Sequence, residues 1–124
     1  MNTIFISITV SDPWDVGEAV NWQPIKGQLL KMEADEHGGK ALVKFDAPVS
    51  YRGASYCYAV ASPRIEGHHI MEVQAGKIVC SALTGISDQQ AKSSNPMDTS
   101  NWRGGLAFIG DVEATDEHLY IYRY

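Results

Sequence analysis

Apolar and polar residues alternate along most of this chain. In residues 4–10, Ile4, Ile6, Ile8 and Val10 share one face while Phe5, Ser7 and Thr9 take the other, which is the period of a half-buried strand. Residues 28–34 set Leu30, Met32 and Ala34 against Lys31 and Glu33, and residues 40–46 set Ala41, Val43 and Phe45 against Leu42 and Lys44. Between these runs lies Asp35-Glu36-His37-Gly38-Gly39, whose glycines can take positive φ, so the pair predicts a hairpin. A further strand is predicted over 55–62, where Tyr56, Tyr58 and Val60 alternate with Cys57, Ala59 and Ala61, after a turn at Tyr51-Arg52-Gly53-Ala54. Residues 77–84, 106–112 and 119–124 complete the set, with 113–117 as a second hairpin loop.

Other segments lack that period. Ser11, Pro13 and the acidic Asp12, Asp15 and Glu18 have the grammar of a short helix start, with Trp14, Val16 and Ala19 as its apolar side. Ile70 and Val73 lie three apart in 67–76 and suggest a helical turn. Residues 86–105 read as a loop. The expected fold is mainly β: a single-domain antiparallel barrel or strongly bent sheet of about six to eight strands, with one or two short helices. Its expected core includes Ile4, Ile6, Ile8, Leu30, Met32, Val43, Phe45, Val60, Ile78, Leu106, Phe108 and Ile121.

Composition narrows the class. A chain of 124 residues, 44% apolar and 20% charged, has the makeup of a folded domain and not of a disordered segment. The formal net charge of -5 gives no chain-wide attraction to phosphate backbones, so nucleic acid ranks last among expected partners. The stretch MNTIFISITV carries no leading Lys or Arg, is interrupted by Ser7 and Thr9, and reads as a strand and not as a signal peptide. No apolar run approaches the roughly 20 residues of a membrane helix, so no membrane partner is expected. Cys57 and Cys80 read as small buried hydrophobes, with a 57–80 bridge as the alternative, and cytoplasmic residence follows as the default.

Enzyme motifs fare poorly. His68 and His69 are adjacent and point apart on a strand, and no H-x-x-x-H, H-E-x-x-H or C-x-x-C spacing occurs, so no metal or other cofactor is expected. His37 and His118 sit in acidic loops without a second ligand at useful spacing. Cys57 lies inside an alternating run, where a thiol is buried and inert. Asp98-Thr99-Ser100 resembles the Asp-Thr-Gly triplet of aspartic proteases, but Ser100 stands where that family has glycine, and a turn with Asp98 accepting backbone N–H bonds fits better. Gly104-Gly105 belongs to no phosphate loop, and the carboxylates of 111–117 lack the order of a calcium loop.

What remains is distribution. Trp14, Trp22 and Trp102, the last followed by Arg103, all lie outside the strands. They either cap the open end of a barrel or form a recognition surface, since Trp and Arg dominate binding hot spots. Charge is segregated: 1–25 holds Asp12, Asp15 and Glu18, and 104–122 holds Asp111, Glu113, Asp116 and Glu117, in both cases with no Lys or Arg. Lys26, Lys31, Lys40, Lys44, Arg52 and Arg64 crowd the middle. The leading expectation is a non-enzymatic binding module whose acidic and aromatic residues contact a basic partner protein. In size and charge alone such a chain is similar to the immunity proteins that neutralise bacterial toxins. The alternatives are a barrel that binds a small molecule at the mouth lined by the tryptophans, and a small hydrolase using Cys57, His68, His69 or Asp98.

Overall fold

In a computed structural model, whose described residues are 4–12, 24–35, 38–51, 53–65, 67–70, 77–100 and 105–115, the alternating runs become six strands. They are β1 (Ile4–Asp12), β2 (Ile25–Glu33), β3 (Lys40–Tyr51), β4 (Ala54–Pro63), β5 (Val79–Ile86) and β6 (Ala107–Ala114). Each pairs antiparallel with its neighbour in sequence, and β6 pairs back onto β1, so the sheet closes into a barrel. Closure leaves no unpaired edge. The expected strand at 119–124 and the expected helix over 11–19 fall almost entirely outside the described residues.

Alternation decides which side chains fill the barrel. Ile6 and Ile8 of β1, Val43 and Phe45 of β3, Val79 and Leu83 of β5, and Phe108 and Val112 of β6 meet inside. Ser81 shares that face and satisfies its hydroxyl locally, donating to the Val79 carbonyl at 3.2 Å. An eight-stranded barrel is just wide enough to be filled by side chains, and the narrower six-stranded barrel is filled, among the described residues, by this cluster.

Two core assignments from the sequence are corrected. Leu30 is 37% exposed, because the β2–β3 register shifts between Leu29 and Lys31 and leaves it as the extra residue of a bulge. Leu29 and Met32, on either side of the bulge, take the inward positions opposite Val43 and Ala41. Ile78 is 51% exposed, since β5 turns Val79, Ser81 and Leu83 inward, opposite Val112, Gly110 and Phe108. Val60 is buried as expected, but on the outer wall. Ile121 lies outside the described residues.

At each end a large side chain packs against glycine. The predicted hairpin joins β2 to β3, with Gly38 and Gly39 at φ 101° and 78° and the Gly39 amide donating to Asp35 Oδ1 at 2.8 Å. The fully buried Ile70 docks on it, its amide donating to the Gly38 carbonyl at 2.7 Å. At the other end the Tyr56 ring lies over Gly85, where a Cβ would come within 2.7 Å of its Cδ1. Only glycine leaves room there.

Residues 87–100, expected as plain loop, begin with the helical turn α1 (Asp88–Ala91). Ser87 caps it, accepting from the Gln90 amide at 3.0 Å, and the Ser-x-x-Gln spacing is a helix-start signal in the sequence. Gln90 then donates from Nε2 to the carbonyls of Pro96 and Asp98, at 3.1 and 2.6 Å, folding the segment into a strap. Met97 anchors the strap on an outer apolar cluster of Leu42, Val60 and Ile86. Among the described residues no helix is long and apolar enough to cross a membrane.

Candidate functional site

With the interior filled, the recognition surfaces are the outer wall and the ends. On β6 the outward residues Asp111 and Glu113 stand one strand repeat apart, opposite Thr9 and Ser7 of β1, neither of which carries charge. On the other side Asp111 faces Cys80 of β5. Burial, and then the Asp111 carboxylate beside it, hold the Cys80 thiol above its ordinary pKa, with Arg64 acting in the opposite sense. A thiol so placed is a poor nucleophile. Cys57 and Cys80 are both free, so the alternative of a 57–80 bridge is not realised, and both are only partly buried, which corrects their reading as buried hydrophobes; Cys80 is on the outer face, opposite Asp111.

The sequence suggested that the acidic ends of the chain would form one surface if the terminal strands paired. They do pair, through Ile6 opposite Ala114 and Val10 opposite Gly110. The pairing is antiparallel, however, so the chain leaves β1 and β6 at opposite ends of the barrel. Among the described residues the acidic wall is Asp111 and Glu113, and Asp116 and Glu117 lie outside them. Trp14, Trp22, Trp102 and Arg103 lie outside them as well. The strand ends that flank these four, Asp12 with Ile25 and Ile86 with Ala107, belong to the same end of the barrel.

Cys57 is not brought to the histidines. Cys57 sits near the start of β4, whereas His68 and His69 follow its far end, about 20 Å of extended chain away. His69 packs its Cε1 against Gly39, and His68 has a buried Nδ1 with no hydrogen-bond partner. Asp98 forms the turn the sequence suggested: its Oδ1 accepts from the Ser100 hydroxyl at 2.6 Å and the Ser100 amide at 2.9 Å. The hydroxyl bond, then the amide, pull its carboxyl below the ordinary value, with Lys40 assisting. Among the described residues no group of three or more His, Cys, Asp or Glu could hold a metal ion.

One arrangement was not visible in the sequence. The registers place Phe5, Gln28, Lys44 and Tyr58 opposite one another in turn on β1 to β4, in an outward row that curves round the closed barrel, so that Phe5 and Tyr58 face apart. Each residue is the outward partner of an inward neighbour, and the register set by the 35–39 hairpin aligns Gln28 with Lys44. Lys26 and Lys31 lie exposed on β2 on either side of that row. The alternation was legible; the alignment needed the position of the β2 bulge. No family model, curated protein or solved structure matches this chain.

Proposed function

We propose that the protein is a non-enzymatic binding module that contacts a basic partner protein through the acidic β6–β1 wall. The observation that carries this reading is the placement of Asp111 and Glu113 on one outward face, beside the uncharged Ser7 and Thr9. Carboxylates in that setting steer a basic partner toward the wall and make association salt-dependent. An immunity-type or regulatory role is the form of binding that suits a small acidic chain. The free thiols of Cys57 and Cys80 suit a reducing, cytoplasmic setting.

Carboxyl-directed cross-linking of the full chain to captured partners, read by mass spectrometry, tests the reading. The expected result is a basic protein linked through Asp111 or Glu113, captured less as salt rises and lost in the Asp111→Asn, Glu113→Gln double variant. Capture indifferent to both salt and the variant, or no specific capture at low salt, would contradict it.

A second reading, small-molecule binding at one end of the barrel, draws on the strand ends Asp12, Ile25, Ile86 and Ala107, which border the tryptophan-bearing segments in sequence and lie at that end. Because the interior is packed, such a ligand would sit on the rim. A change in tryptophan emission on titration with a metabolite set is its expected sign, and unchanged emission throughout would remove it.

A further inference from the structure

We propose that Met97 is an oxidation-sensitive latch: one oxygen added to its sulfur by hydrogen peroxide releases the strap of residues 87–100 and uncovers an apolar patch on the outer wall of β3 to β5. This goes beyond the acidic-wall reading and concerns a different part of the barrel surface.

The strap is shaped by bonds within itself. Ser87 caps the helical turn, and Gln90 Nε2 gathers the carbonyls of Pro96 and Asp98. The Ser93 amide donates to the Gln90 carbonyl at 3.0 Å, and the Asp98 amide to the Asn95 carbonyl at 3.3 Å. Bonds of this kind persist when the segment lifts as a unit. Its grip on the barrel is apolar: the outer cluster takes Met97, 2% exposed, with the partly buried Ala91 at its margin.

The patch beneath is continuous. Leu42 of β3 is opposite Val60 of β4, and Tyr58, two residues before Val60, is opposite Ile86 of β5. Three neighbouring strands thus bring four outward side chains onto one face centred on β4, and Met97 is their cover.

A thioether packed there acts as an apolar group. Hydrogen peroxide reaches the sulfur when the strap opens, an event that parts apolar contacts and leaves the barrel ladders paired. The sulfur attacks one peroxide oxygen and the O–O bond breaks. Sulfur and that oxygen remain joined as the sulfoxide, and the other oxygen leaves with both protons as water; the sulfur gives up two electrons and the peroxide takes them. The side chains of Leu42, Val60 and Ile86 carry no donor, so returning the sulfoxide to its place leaves a polar group unpaired among them. The open strap becomes the favoured state.

Peptide mapping by mass spectrometry and amide exchange of the intact protein, before and after mild hydrogen peroxide, test the latch. One added oxygen on Met97 should speed exchange over residues 88–98 about ten-fold or more and raise the fluorescence of an apolar dye, while the amides between β3 and β4 stay protected. Reduction by a methionine sulfoxide reductase should reverse both changes. Met97→Leu keeps an apolar anchor without an oxidisable sulfur and should show neither change under the same peroxide. Because that variant retains Met32, Cys57 and Cys80, it separates the latch from oxidation elsewhere. Met97→Gln should loosen the strap with no peroxide present. The proposal would be overturned by Met97 staying unoxidised until the barrel amides lose protection, by a Met97 sulfoxide with exchange over 88–98 unchanged, or by an equal response in Met97→Leu.

Discussion

The barrel interior and the strap cluster on its outer wall use the same residue types in opposite ways. Inside, Ile6, Ile8, Val43, Val79, Leu83, Phe108 and Val112 come from four strands far apart in sequence and are excluded from water by closure itself. Outside, Leu42, Val60 and Ile86 face away from the core and are covered only because the strap of residues 87–100 brings Met97 down on them. The difference is one of cooperativity. Loss of an interior side chain is felt by every strand, whereas loss of the strap anchor is felt by one covering segment.

The sharpest way to break this comparison is a pair of truncations. Phe108→Ala should cost about 3–5 kcal/mol in global stability by denaturant unfolding. Met97→Ala should cost about 2 kcal/mol, and its main signature should be faster amide exchange over residues 88–98 with the barrel strands unchanged. Equal global losses would show that the strap and the barrel unfold as one unit.

A second pair sharpens the boundary between inside and outside. Leu29→Ala should cost about 2–5 kcal/mol, while Leu30→Ala should stay within about 0.5 kcal/mol. These neighbours have the same side chain and differ in that Leu29 faces the core while Leu30 is the extra residue of the bulge. If Leu30 proved the costlier, the bulge would be misplaced, and with it the alignment of Gln28 and Lys44.

The smallest expected effect lies within the strap. Asp98 has its carboxyl pulled down by the Ser100 bonds, so the folded state holds its proton less readily than the unfolded state. The stability this contributes is present above the ordinary carboxylate pKa and is lost as pH falls through the lowered value. Ser100→Ala should return the Asp98 titration, followed by NMR, toward its ordinary midpoint. A midpoint that does not move would assign the shift to some other neighbour.

The strands were legible because their alternation is local. The hairpin at Gly38 and Gly39 and the turn before Ala54 were legible because positive φ has a residue signature. What escaped reading depended on partners distant in sequence. The β2 bulge at Leu30 is defined only against β3, and β3 itself runs to Tyr51, past Asp46, because an irregularity containing Pro48 lets pairing with β4 resume at Val49. The parity of β5 follows from Leu83 facing Phe108 and Ala61, which lie on neighbouring strands. Of the candidate site, segregation of charge was legible along the chain. That the acidic terminal segments leave from opposite ends could be seen only from the antiparallel β1–β6 pairing.

That pairing is the central claim, because the proposed acidic wall requires β1 to be zipped to β6. Residue-resolved amide exchange across β1 and β6 tests it most directly. If the barrel is closed, the amides bonded between the two strands around Ile8 and Val112 exchange only through global unfolding, as slowly as those between β3 and β4. Fast exchange confined to β1 and β6 would show an open sheet and would contradict the account.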